Sequence, residues 1–149
     1  MKKKILLGML LLMLFGCGGS NEAEVSIPGD LEGVRALIEE YDSNLNPKIE
    51  VSDKKDVISI VDGEFICIFS IIKDGDVNDT YIKELSKVHD LNKDLVSEIK
   101  RNNQDIRYGN DLKDFWVMVK NDNVIVRIMG NYEGVDKVKG ILDKLGIKN

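Results

Sequence analysis

The chain has 149 residues, of which 43% are hydrophobic and 32% charged, with a formal net charge of −5. That is the length of one domain with room for a real core. The acidic balance argues against nucleic acid and against lying flat on anionic lipid, while it suits solubility, a basic partner or cations.

In chain order, Lys2, Lys3 and Lys4 precede a hydrophobic run from Ile5 to Phe15, broken only by Gly8. As a helix this run rises about 16 Å, roughly half of a bilayer core, so it is too short for a permanent span. It has the length of a secretory h-region. It suits a buried core helix poorly, being apolar all round and flanked by lysines. The run stops at Leu14-Phe15-Gly16-Cys17. These four residues resemble the lipobox of bacterial lipoproteins, with leucine at −3, a small residue at −1 and then cysteine. Phe15 departs from the small residue usual at −2.

The resemblance implies that residues 1–16 are a lipoprotein signal peptide, cut between Gly16 and Cys17. Cys17 would then carry a thioether-linked diacylglycerol, and its freed amino group a further acyl chain of the palmitate kind. An ordinary signal peptide and an uncleaved anchor are the competing readings. Two or three chains, at about 0.8 kcal/mol per buried methylene, hold a protein stably on a membrane without any transmembrane helix. Gly18 is not the aspartate that retains lipoproteins at an inner membrane, which favours the outer membrane where a cell has one. Loss of residues 1–16, which carry three lysines and no acid, leaves 133 residues and a formal charge of −8. With Cys17 lipidated, Cys67 is the sole remaining thiol and no intrachain disulfide can form.

Residues 17–29 read as a flexible tether, and 30–149 as a single domain. "GGSNEAEVSI" (18–27) is too polar and too small-residued to build a core, and spans about 18 Å as a coil or about 35 Å extended. Asp30 is placed to cap a first helix over 31–45, whose Leu31, Val34, Leu37, Ile38, Tyr41 and Leu45 recur at helical spacing. Asn46-Pro47 ends it. Strands are expected at 48–52 and 57–61. Asp62-Gly63 signals a hairpin into a strand over 64–72 that is apolar on both faces and therefore covered on both sides. A second helix is expected over 79–101, capped by Asn78, with Ile82, Leu85, Val88, Leu95 and Ile99 as its stripe. Residues 101–111 read as a polar loop. Strands follow at 115–120 and 124–129, then a third helix at 133–145 facing inward with Val135, Val138, Ile141, Leu142 and Leu145. Gly146 is its stop. The pattern is α+β: a mainly antiparallel sheet of about five strands with three helices packed on it.

Candidate chemistry is sparse. Asp74, Asp76 and Asn78 in "KDGDVND" have the first three ligand positions of a calcium loop, but Asp79 stands where glycine is needed and Leu85 where a bidentate glutamate belongs. A capped strand-to-helix turn is the stronger reading. His89 is the single histidine, too few for a zinc site and without a nucleophile motif beside it. Cys67, in the most apolar strand, reads as an inert core thiol. Trp116 and Phe115, with Tyr108, could line a ligand groove, though alternating aromatics on a strand read first as core. "GNYEG" (130–134) lacks a phosphate-loop fingerprint and reads as a strand-to-helix turn. Glu39, Glu40 and Asp42 read as a solvated face.

The body of the chain is similar to small bacterial lipoproteins of unknown function, in which a late hairpin like "FWVMVKNDNVIVRIMGNY" runs into a terminal amphipathic helix. That group has no established catalytic motif. The expected role is a lipid-anchored envelope protein with a non-catalytic binding or assembly function and an envelope partner. No cofactor, no metal and no catalytic residue is assigned. A small carboxylate-using enzyme or cation-binding module is one alternative, and an acidic inhibitor of a basic secreted protein is another.

Overall fold

A computed structural model of the chain describes residues 27–91, 95–101, 104–110 and 114–145, with the side chains of 88–91, 95–101, 104, 108, 110 and 132 excepted. Helix α1 (Leu31–Tyr41) is followed by β1 (Lys48–Val51), β2 (Lys55–Asp62) and β3 (Phe65–Ile72). Then come α2 (Val77–Leu91), β4 (Leu95–Arg101), β5 (Gln104–Asn110), β6 (Asp114–Asn121) and β7 (Val124–Asn131). A 3-10 turn (Tyr132–Gly134) leads into α3 (Val135–Lys144). The class is α+β, as the sequence pattern predicts. The strands of the described residues form one antiparallel sheet of seven, in the order β1-β2-β3-β7-β6-β5-β4.

Two strands exceed expectation. Residues 95–101 are not the end of the second helix, which stops at Leu91, and residues 104–110 are not a loop. They pair with each other, Arg101 opposite Gln104 and Ile99 opposite Ile106. The physical source of the misreading is the spacing of Leu95 and Ile99: four residues apart satisfies a helical stripe and strand alternation equally. Smaller shifts have local causes. The first helix ends at Tyr41 because Asp42 turns extended (φ −155°, ψ 111°) and its carboxylate accepts the Asn44 N–H at 2.9 Å. The β2–β3 hairpin turns on Gly63-Glu64 rather than Asp62-Gly63, since Asp62 is paired with Phe65. In the β6–β7 turn, Asp122 takes the left-handed conformation (φ 47°), which aspartate tolerates.

The sheet has a helical layer on each face. On one, α1 and α3 pack against Ile58, Ile60, Cys67, Phe69, Val117, Val126 and Ile128. Asp30 caps α1 as expected, its Oδ1 accepting the Gly33 N–H at 2.8 Å. On the other face, α2 lies against β6 and β7 and buries Tyr81 with Trp116, Met118 and Ile125. Among the described side chains of α2, Tyr81 is buried with the partly buried Val77 and Leu85 beside it; Leu85 lies on the core as expected, whereas Ile82, also expected there, is left 60% exposed. Polar contacts fix that docking: Arg127 Nη1 donates to Glu84 Oε2 (2.7 Å), Lys120 Nζ to Asn78 Oδ1 (2.9 Å) and the Tyr81 hydroxyl to Asp105 Oδ1 (3.2 Å).

The α1/α3 side is the larger core, with Phe69 at its centre between Ile58 and Val126 in the cross-strand register. Phe69→Ala is expected to lower unfolding free energy by about 3–5 kcal/mol. Val61→Thr, on the same sheet but 73% exposed, is expected to stay within about 0.5 kcal/mol. Chemical denaturation measures both.

Candidate functional site

One end of the sheet carries an open groove of about 530 Å³, between the β2–β3 turn and the facing ends of β6 and β7. Its construction starts from register. Phe65, Gly130 and Phe115 lie side by side on β3, β7 and β6. Both phenylalanines are buried, and the glycine between them leaves room for the close approach of β3: a Cβ at 130 would stand 2.7 Å from the Glu64 carbonyl oxygen and 2.9 Å from Phe65 Cβ. That carbonyl accepts the Asn131 N–H at 3.0 Å. Asn131 then turns the chain, its Oδ1 accepting from the N–H groups of Glu133 (3.0 Å) and Gly134 (3.2 Å).

The turn starts α3 in the place that brings Lys137 back over the β2–β3 hairpin. Its ammonium sits 3.0 Å from Asp62 Oδ2 and 2.9 Å from Glu64 Oε2. The groove is lined by Asp62, Glu64 and Asp114 together with Phe65, Phe115, Ile66 and Met129, the two phenylalanines belonging to the α1/α3 core and Met129 packing with the α2 core. The hydrogen bond from Lys137 holds the Asp62 carboxyl below its ordinary value near 3.8. Hydrogen bonds to Glu64 and then Asp62 hold Lys137 above 10.5. Near neutral pH this pair is ionised. A carboxylate held down in this way accepts hydrogen bonds from cations and does not serve as a proton donor.

The residues singled out in the sequence fall elsewhere, with one exception. Phe115 does line the groove, but Trp116 points to the opposite face and is wholly buried in the α2 core. The Tyr108 and His89 side chains and all of Cys17 lie outside the described residues. Asp76 and Asn78 make hydrogen bonds of other kinds. Asp76, rather than Asn78, caps α2: its Oδ1 accepts the N–H groups of Asn78 (2.7 Å) and Asp79 (3.1 Å). Asn78 Oδ1 takes the Lys120 ammonium, a charge that repels a metal cation. Among the described residues no group of three or more His, Cys, Asp or Glu side chains is placed to hold a metal.

Cys67 is a free thiol with no exposure, and burial pushes its pKa far up. Glu39 pairs with Arg35 at 3.0 Å and Glu40 with Lys144 at 2.7 Å; the Lys144 hydrogen bond lowers the Glu40 pKa. Asp62, Glu64, Lys137 and Gly130 are the residues that sequence reading passed over. Asp62 and Gly130 sit in segments read as turns, and nothing local links either to Lys137, which is 75 residues from Asp62.

Compared with protein-family models, with curated proteins and with solved structures, the chain matches none. The geometry alone therefore speaks for the site.

Two outcomes test this description. Asp76→Ala is expected to cost about 1 kcal/mol of stability through loss of the α2 cap, and added calcium should not restore it. Lys137→Met should raise the Asp62 midpoint toward 3.8, as read by carboxyl-carbon NMR titration. The sign follows from the lowered folded-state value. The Asp62 contribution is present above about pH 4, the ordinary aspartate range, and is lost as pH falls through the depressed pKa.

Proposed function

We propose that this chain is a lipid-anchored protein of the bacterial cell envelope whose domain binds a partner rather than catalysing a reaction. The observation that carries the reading is Leu14-Phe15-Gly16-Cys17 at the end of a basic-then-apolar leader. A thiol at that place, following a small residue and followed by Gly-Gly-Ser, is suited to lipidation and to a tether. Gly18, standing where an aspartate would retain a lipoprotein at the inner membrane, favours the outer membrane in a cell that has one. Among the described residues, no helix is long and apolar enough to cross a membrane.

The groove supplies the binding surface. A lining that mixes apolar side chains with carboxylates suits a segment that presents apolar and basic side chains together. The enzyme alternative calls for a pair of carboxylates with at least one pKa strongly raised. Among the described residues, the carboxylates whose values move, Glu40, Glu50 and Asp62, all move down. That direction favours binding over acid–base chemistry.

The anchoring reading is tested by growing bacteria that express the full chain with a clickable fatty-acid analogue. The wild type should take up label and fractionate with membranes, and Cys17→Ser should lose both. Label retained by Cys17→Ser would overturn it. The binding reading is tested by a photo-crosslinking residue at Val61, on the groove rim. A discrete adduct weakened by Asp62→Lys supports it, and no adduct above background counts against it.

A further inference from the structure

The outer strand β1 has a feature that the groove does not use. It is four residues long, exposed throughout, and paired on one side with β2. The Ser52 N–H donates to the Lys55 carbonyl at 3.1 Å. Hydrogen-bonded positions alternate along an antiparallel ladder. Glu50 and Lys48 therefore turn their backbone groups toward β2, while Ile49 and Val51 turn theirs outward. Ile49 is 37% exposed and Val51 65%.

Charged side chains on an edge strand ordinarily discourage further pairing. Here they are arranged symmetrically. Lys48 and Glu50 flank Ile49 on one face of the strand, 2.7 Å from each other. The hydrogen bond between them raises the lysine pKa and lowers the glutamate pKa, so both are charged near neutral pH. Read backwards, Lys-Ile-Glu becomes Glu-Ile-Lys. An antiparallel copy centred on Ile49 sets Lys48 opposite Glu50 at both ends of the contact. Moving the centre to Val51 sets Lys48 opposite Lys54 and Glu50 opposite Ser52, which replaces attraction by repulsion.

We propose that β1 pairs with β1 of a second copy of this chain, antiparallel and centred on Ile49. The two sheets then run on as one through a two-fold axis. Each outward Ile49 N–H and carbonyl finds its counterpart, and the two Ile49 side chains cover each other on the α1 side. This contact is independent of the lipid anchor and of the groove.

The test uses the full chain carrying Cys17→Ser, so that the introduced thiol is the accessible one and Cys67 stays buried. Residues facing each other in a hydrogen-bonded antiparallel pair have Cα atoms about 5.5 Å apart, within disulfide range. Under mild oxidation Ile49→Cys should give several-fold more disulfide-linked dimer than Val51→Cys or Val61→Cys. Adding Glu50→Lys should lower that yield several-fold, and Lys48→Glu together with Glu50→Lys should restore it. Dimer from Val51→Cys equal to that from Ile49→Cys would overturn the register. Indifference to Glu50→Lys, failure of the double exchange to restore the yield, or a monomer in sedimentation at every concentration would overturn the pairing.

Discussion

The pairing of β3 with β7 is the contact on which the other layers depend. It joins two meanders, β1-β2-β3 and β4-β5-β6-β7, that are far apart in sequence. Its cross-strand partners, Cys67 with Ile128 and Phe69 with Val126, are buried on the α1/α3 side. Each such side chain contributes about 1.5–3 kcal/mol when fully removed from water. β3 is buried on the α1/α3 face and half-buried at Ile66 and Ile68 on the other. The β7 pairing makes it central. α1 and α3 then have a floor to cover on one side, and α2 a floor beside it on the other.

The two faces are stabilised differently. The α1/α3 face is apolar almost throughout, with Lys73 Nζ 2.6 Å from the buried Asp56 at its end, where charge pairing offsets the cost of burying a carboxylate. The α2 face interleaves Trp116, Met118 and Ile125 with Lys120 and Arg127, which alternate with them along β6 and β7. A wholly apolar helix could not satisfy those cations. α2 does so by presenting Asn78 and Glu84 on the same side as Tyr81. This explains why Tyr81, and not Ile82, turns toward the sheet. Ile82 would sit well in an apolar groove, but the position that meets Asp105 needs a hydroxyl, and Tyr81 provides it.

Much of this architecture was legible in the sequence where one period dominated. "EFICIFSII" and "FWVMVKNDNVIVRIM" hold unbroken apolar runs of strand length bounded by turn residues, and Val135, Val138, Ile141, Leu142 and Leu145 keep strict helical spacing; all five are buried. Legibility failed where a spacing of four served two periods, at Leu95 and Ile99, so two strands were missed. It failed again at the groove, for a different reason. Asp62, Glu64 and Lys137 gain meaning only when α3 folds back over the β2–β3 turn, and no local pattern encodes a contact 75 residues apart. Gly130 was visible as a punctuation residue. Its need for a bare Cα comes from Glu64 and Phe65 on a neighbouring strand, which sequence order does not place beside it.

The start of the domain and the groove occupy opposite ends of the same strand. Asn123, in the β6–β7 turn, donates to the Gly29 carbonyl at 2.9 Å and accepts the Ile72 N–H through its own carbonyl at 2.8 Å. The point at which residues 27–30 join the domain is thereby fastened beside the first residue of β7. The groove is built around the last two, Gly130 and Asn131. The eight residues of β7 separate these ends by about 23 Å at strand rise. A lipid on Cys17 would therefore act on the domain from the end remote from Asp62, Glu64 and Asp114.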